Sequence, residues 1–267
     1  MRLPARRIAP GRAKGLALVS GTPFSFVGGA DPATGTVLDD ETGLRGERLA
    51  DRIFAFPHAK GSTVGSYVLY GLAKRGVGPA AIVNVKAETI VAVGAILGGI
   101  PMVDGVDLGG LRTGDRVVVD AEAGFLDLPD VSAKPVVSVF LHNKGRYLLV
   151  RRSEAVGSFP GRWSAVSGYV EGDEDPRTRA AREIREETGI RGARFRRAGS
   201  PVVARDADTA YVVHPFLFDV PHRRVRLDWE NVEKRWVRAA EISSFDTVPR
   251  LGDVMSSALS SRYVRKG

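Results

Sequence analysis

Cysteine is absent from the 267 residues. Its absence excludes disulfides, cysteine-ligated zinc and any iron–sulfur cluster held by thiolates of this chain. Long apolar runs are missing too. The longest, such as 90–100, are broken by glycine and fall well short of the ~20 residues that a membrane-spanning helix needs. The basic start, MRLPARRIAPGRAKG, is followed by no apolar segment of the kind that marks a secretory signal. Aromatic residues are sparse, at 7%, and do not interleave with the basic clusters. What is present suffices for packed cores: 43% of residues are hydrophobic, and 26% are charged. The expectation is a soluble, cytoplasmic protein without membrane spans, built as one large domain or two ordinary ones.

The formal charge of +8 is unevenly placed. Residues 1–134 carry 15 basic and 14 acidic side chains, and residues 135–267 carry 24 and 17. One half is nearly neutral and the other holds the excess, a first sign of two units. Between them, the stretch 126–135 (LDLPDVSAKP) has the proline, aspartate and small residues of a linker. The expected division is a domain over 1–128, a linker over 129–135 and a second domain over 136–267.

In the first half, short runs at 15–19, 37–38, 52–56, 81–85 and 117–119 read as buried strands punctuated by glycine, which suits a compact β/α barrel-like domain. A helix is signalled over 62–74. Val64, Val68 and Leu72 recur every four residues, Ser62 or Thr63 can cap its start, and Gly76 can end it. Its entrance, His58-Ala59-Lys60-Gly61-Ser62, sets a hydroxyl, unpaired backbone N–H groups and a cation close together. Such a terminus attracts carboxylates and phosphates. The competing reading is that Ser62 merely caps the helix.

Several separated motifs carry a resemblance here: 20–29 (SGTPFSFVGG), Asp31-Pro32 with Gly35, 61–66 (GSTVGS) and 100–103 (IPMV). Together they resemble the swivel domain of the aconitase-X family, and within it the small subunits of phosphomevalonate dehydratase in the archaeal-type mevalonate route to isoprenoids. The resemblance implies a swivelling β/β/α fold and dehydration of (R)-5-phosphomevalonate to trans-anhydromevalonate 5-phosphate. It also implies that Ser62 accepts a proton and that a separate large subunit, forming a heterodimer, holds an iron–sulfur cluster. A cysteine-free chain fits that division of labour. An alkoxide at Ser62 would be steadied by the helix terminus and by Lys60. Lys60, Gly61, Ser66 and Ser25 form the candidate substrate-binding set, with Ser25, Gly28 and Gly29 shaping the cleft. Ser66, one turn beyond Ser62, either contacts substrate or is a small packing residue.

In the second half, 136–141 and 147–150 flank the turn 142–146 (HNKGR) as a hairpin. Asp175 followed by Pro176 starts a helix, and Gly189 ends it. On that helix Glu183, Glu186 and Glu187 fall at i, i+3 and i+4, so their carboxylates share one face. Like charges at that spacing repel, and a hard divalent cation resolves the conflict. Arg182, four residues before Glu186, can hold a carboxylate in place. Gly168, Glu174 and 182–190 (REIREETGI), at their fixed spacing, complete the Nudix signature, and the half is similar to that family over about half the chain. Strands at 202–205, 211–218 and 233–237 and Trp163 before the loop agree with its surroundings.

The Nudix resemblance implies an α/β/α sandwich and Mg²⁺-dependent (or Mn²⁺-dependent) hydrolysis of a diphosphate joined to another group. It implies Glu183, Glu186 and Glu187 as metal ligands, with Gly168 offering its backbone carbonyl and Glu186 and Glu187 also catalytic. Arg182 and Glu174 support the box, and Glu230 is a candidate for a further carboxylate or base. Tyr211 and Arg205 are candidates for substrate contact, and an isoprenoid diphosphate is suggested as substrate by the company of the first half. In a second account only the Nudix half is catalytic and the swivel half docks a partner. A third makes the chain a nucleic-acid binder through Arg194, Arg196 and Arg197 with Arg223, Arg224 and Arg226. The acidic helix face and the lack of interleaved aromatics weigh against it.

Overall fold

The computed structural model describes residues 1–260 and divides into two compact units, the second beginning at Ala133. The first unit contains β1 (Arg2–Pro4), β2 (Arg6–Ala9), β3 (Arg12–Val19), the short turn α1 (Phe26–Gly29), β4 (Arg52–Phe56), α2 (Val64–Lys74) and β5 (Ala81–Asn84). It continues with α3 (Thr89–Gly98), β6 (Met102–Asp104), β7 (Arg116–Asp120) and β8 (Phe125–Asp127). The strands form one sheet in the order β1-β8-β7-β3-β4-β5-β6-β2. β1 and β2 stand at opposite ends of that order yet are separated in sequence by Ala5 alone. The sheet therefore curls round towards closure, a barrel-like form.

β3, β4, β5 and β6 run parallel. The crossovers β4-α2-β5 and β5-α3-β6 step in the same direction along the sheet, and with the usual right hand both helices lie on one face. They pack side by side at close range. A Cβ on Gly65 would lie 3.1 Å from Ile90, one on Gly94 2.9 Å from the Ser66 carbonyl oxygen, and one on Gly98 2.9 Å from Ala73. Beneath the helices, Phe24, Phe26, Phe54 and Phe56 meet largely edge to face, with Phe24 and Phe54 centroids 4.9 Å apart.

Three details differ from the sequence reading. α2 starts at Val64, and Thr63 at its N-cap makes no side-chain cap bond, so neither Ser62 nor Thr63 caps it. Val37 makes an isolated bridge to Ala30 rather than a strand. α3 carries no sequence signal of helical periodicity, because TIVAVGAILG is apolar on every side.

The second unit contains β9 (Ser132–Asn143), β10 (Arg146–Arg152), β11 (Trp163–Ser164), β12 (Val166–Tyr169), α4 (Pro176–Thr188), β13 (Arg194–Ala198) and β14 (Val202–Asp206). β15 (Thr209–Asp219), β16 (Asn231–Val237) and α5 (Leu251–Leu259) complete it. β9 opens inside the stretch read as linker, and the Pro135 carbonyl already accepts the Val170 N–H. Strand alternation distributes side chains to two cores. Val137, Val139, Leu141, Leu148 and Val150 pack with Ala180 and Ile184 of α4. Phe140 and Leu149, out of phase with them, pack with Leu251, Val254 and Met255 of α5. The sheet thus has a helix on each face, an α/β/α sandwich.

Candidate functional sites

In the first unit, the loops that leave the carboxyl ends of β3 and β4 meet, where parallel sheets present ligand sites. Phe24 and Ala59 form a bridge, and the Lys60 N–H donates to the Phe24 carbonyl at 3.0 Å. Gly61 has φ +109, a region that favours glycine, and a Cβ there would lie 2.9 Å from Ser25 Oγ. Ser25, Gly61 and Ser62 are therefore brought to one place, with the Ser62 side exposed at the approach to α2. Ser25 itself donates to the Val27 carbonyl at 3.0 Å.

Lys60 stands in the same loop, but its charge is engaged. Its Nζ lies 2.8 Å from Glu41 and 3.9 Å from Asp39, and the Glu41 hydrogen bond lifts the lysine pKa and lowers that of Glu41. Ser66 settles into the packing alternative. It is buried and donates to the Ile90 carbonyl at 2.8 Å, joining α2 to α3 rather than facing the cleft. The reason is its place on the wheel: four residues past Ser62, but on the side of α2 that α3 covers.

The second unit has a cavity of about 300 Å³ between sheet and loops. α4 delivers its carboxylates beside it. The Asp175 side chain accepts the Thr178 N–H at 2.9 Å, Pro176 occupies the first turn, and Gly189 closes the helix at φ +67. Glu183 and Glu187 point inward and are buried, and Glu186 is exposed. Glu187 is held at both oxygens: the Ser167 N–H donates to Oε1 at 2.9 Å and the Asn231 amide to Oε2 at 2.7 Å. Burial outweighs those bonds and pushes its pKa up to about 8.

Glu183 lies against Gly168, where a Cβ would overlap its carboxyl group; glycine is required for this approach. Arg179 Nη2 stands 2.5 Å from Glu183 Oε1, close enough for a strong ion pair but off the line of a directed hydrogen bond. Burial again dominates, pushing the Glu183 pKa up to about 7 against the pull of Arg179. Arg182 does not hold Glu186. It pairs with Glu174 at 2.6 Å, tying the loop to the helix, and Arg179 reaches the same carboxylate at 4.0 Å. Glu230 lines the cavity with Glu183, Arg152 and Arg179, and burial raises its pKa as well.

Among the described residues, no three carboxylate or imidazole side chains stand together as a ready metal cage. The donor set nonetheless fits a hard cation. Two buried carboxylates one helical turn apart bear raised pKa values, and the absence of a side chain at Gly168 lets the Glu183 carboxyl approach its backbone, so a cation there would find oxygen donors from both segments. Four residues of the site escaped the sequence reading. Arg179 had a usable signal, four residues before Glu183. Arg152, Ser167 and Asn231 had none. Arg152 donates to the Ser158 carbonyl at 2.9 Å and to Ser167 Oγ at 3.2 Å, so it braces the loop over the cavity. Tyr211 does line the cavity, packing on Phe159 at 5.8 Å between centroids. Arg205 turns to its own loop, donating to the Ala207 carbonyl at 2.7 Å. Of the basic clusters, Arg196 pairs with Asp219 and Arg197 bonds the Leu259 carbonyl, while Arg223 bonds the Asn143 carbonyl.

Residues 2–128 match the aconitase X swivel domain family, and residues 133–257 match the NUDIX domain family. The chain belongs to the first through its amino-terminal half and carries a Nudix domain in the other. The amino-terminal half is 52% identical over 130 residues to the phosphomevalonate dehydratase small subunit of Thermococcus sibiricus, covering 100% of that protein and 49% of this chain. The Methanocaldococcus jannaschii small subunit is also 52% identical, over 128 residues, with 98% of it and 48% of this chain covered. Among solved structures, Thermococcus kodakaraensis aconitase X in its holo form is 52% identical, with a TM-score of 0.47, covering 48% of this chain and 98% of that one. A MutT protein from Methanosarcina mazei is 27% identical, with a TM-score of 0.42, covering 48% of this chain and 93% of that one.

Proposed function

We propose that the chain joins two enzymes: the small subunit of a phosphomevalonate dehydratase and a Mg²⁺-dependent Nudix diphosphate hydrolase. The first assignment is carried by 52% identity spanning the whole length of a curated small subunit. In the reaction, a proton leaves the carbon next to the carboxylate of (R)-5-phosphomevalonate and hydroxide leaves its neighbour, giving trans-anhydromevalonate 5-phosphate and water. Ser62 accepts the proton, and the exposed N–H groups before α2 favour the anion that results. An iron–sulfur cluster on a separate large subunit would supply the Lewis acidity for the departing hydroxyl. Lys60, released from Glu41, would meet a substrate anion.

The second assignment is carried by two buried carboxylates, Glu183 and Glu187, on the cavity-facing side of one helix. Glu183, Glu186, Glu187 and the Gly168 carbonyl would hold Mg²⁺, which supplies charge neutralisation and water activation at the diphosphate. Water adds to phosphorus, the bridging P–O bond breaks with its electron pair leaving on the departing phosphate, and a carboxylate of the box or Glu230 takes the proton. Arg152 braces the loop above, and Ser167 and Asn231 fix the direction of Glu187. An isoprenoid diphosphate is the first substrate to assay, because the neighbouring unit works on an isoprenoid precursor. Phosphate or pyrophosphate release by the whole chain, with and without Mg²⁺, tests the reading; Glu187→Gln should remove it, and equal release by that variant would overturn it.

A further inference from the structure

Among the described residues, Arg152 and Arg179 are the two cationic side chains that line the cavity of the second unit, and they are used differently. Arg152 is tied down at every nitrogen. Its Nε donates to the Ser158 carbonyl at 2.9 Å, its Nη1 to Ser167 Oγ at 3.2 Å and its Nη2 to Ser158 Oγ at 3.3 Å. Arg179 has no such anchorage. Its Nε is buried and meets no acceptor, its Nη1 reaches Glu174 only at 4.0 Å, and its Nη2 rests 2.5 Å from Glu183 Oε1 off the line of a directed bond. Glu174 is itself committed to Arg182 at 2.6 Å. A guanidinium carries five N–H donors, and buried donors left unmade are costly.

Glu183 is therefore claimed twice. Arg179 pairs with it, and in the hydrolase reading it also binds Mg²⁺. A positive charge beside a carboxylate opposes a second cation there, and a partly buried setting screens that opposition weakly. Only charge holds Arg179 to Glu183, so the pair can part without breaking a directed bond. The donors then freed face a cavity read as taking a diphosphate, whose oxygens suit the planar guanidinium fork.

We infer that Arg179 exchanges partners: it neutralises Glu183 when no cation is bound there, and it anchors the diphosphate of the substrate when Glu183 serves Mg²⁺. The inference rests on the Nudix reading above and concerns a residue outside the fixed positions Gly168, Glu174 and 182–190 of that signature. Arg152 remains the brace of the loop, and Arg179 is the arginine with donors to spend. Removing Arg179 then acts in opposite directions on metal and on substrate. A residue that only propped Glu183 in place would weaken the binding of both when lost.

Titration calorimetry of the full chain in mildly alkaline buffer tests this, first with MgCl₂ alone and then with methylenediphosphonate at saturating Mg²⁺. Arg179→Gln should bind Mg²⁺ about 5-fold more tightly than the parent and the diphosphonate about 10–100-fold more weakly. Arg179→Lys keeps the charge without the fork; it should bind Mg²⁺ as the parent does and the diphosphonate with intermediate affinity. Arg177→Gln removes a charge from the same helix, where Arg177 stacks on Phe195 at 4.0 Å, and should change neither. Weaker Mg²⁺ binding by Arg179→Gln, or undiminished diphosphonate binding, overturns the exchange while leaving the Nudix reading intact. Equal effects from Arg177→Gln would assign them to net charge and overturn it as well. Should Arg179→Gln melt early, Arg179→Lys decides, and diphosphonate affinity equal to the parent's overturns the exchange. Failure of the parent to bind Mg²⁺ overturns the metal reading and the inference with it.

Discussion

The two units treat their reactive groups in opposite ways. In the first, Ser62 is exposed at a loop and the neighbouring lysine is neutralised by two surface carboxylates. In the second, Glu183 and Glu187 are buried, against their preference for water; the Ser167 N–H and the Asn231 amide hold Glu187, and Arg179 of the same helix pairs with Glu183. Buried charge without full compensation costs stability and is retained at sites that use it. The Ser62 hydroxyl, by contrast, stands exposed at the approach to α2. On the proposed reading, the contrast separates a site whose carboxylates this chain holds by itself from one whose serine stands open at the surface.

The sharpest way to break this contrast is to remove one group from each unit. Ser62→Ala should lower dehydration by the reconstituted complex by about 10²–10⁴-fold, as expected for loss of a proton acceptor, with diphosphate hydrolysis unchanged. Glu187→Gln should do the reverse, lowering Mg²⁺-dependent phosphate release by about two to three orders of magnitude. Coupled loss of both activities in either variant would refute the separation.

Smaller effects sharpen the physical account. Gly168→Ala sets a methyl into the Glu183 carboxyl and should destabilise the second unit by about 1–3 kcal/mol, read as a lower thermal midpoint, with hydrolysis impaired. Asp104, nearly fully buried, accepts two bonds from Arg6, at 2.8 and 2.6 Å, and the Ala87 N–H at 2.8 Å. Asp104→Asn should cost the first unit about 1–3 kcal/mol in denaturant titration at neutral pH. Those bonds hold the Asp104 pKa below its usual value, so the folded state favours the charged form. The stabilisation is complete above the unfolded pKa of about 3.9 and fades as pH falls through the lower folded value. The gap between parent and variant should therefore narrow in acid. The smallest effect belongs to Ser66→Ala, about 1 kcal/mol from one hydrogen bond, with dehydration retained because Ser66 packs α2 on α3.

Elements whose signals are local were readable from the chain. α4 announces itself through Asp175, Pro176 and Gly189, and the hairpin of β9 and β10 through HNKGR. α3 is invisible to periodicity because it has no polar side. The carboxylates of the second site were legible from spacing, but their holders were not. Asn231 and Ser167 lie 44 and 20 residues from Glu187 in sequence and reach it through sheet pairing. Arg179 carries a local signal, standing at i, i+4 to Glu183, whereas Arg182 turns to Glu174. The pairing of Lys60 with Glu41 and Asp39, about twenty residues earlier, has no local signal, because they approach it only through the fold.

The most direct measurement assays both reactions on one preparation of the full chain, first alone and then with the large subunit added. The account predicts Mg²⁺-dependent diphosphate hydrolysis from the chain alone and no dehydration, with dehydration appearing when the large subunit is added and hydrolysis holding constant. Dehydration by the chain alone, or hydrolysis that waits for the partner, would contradict it.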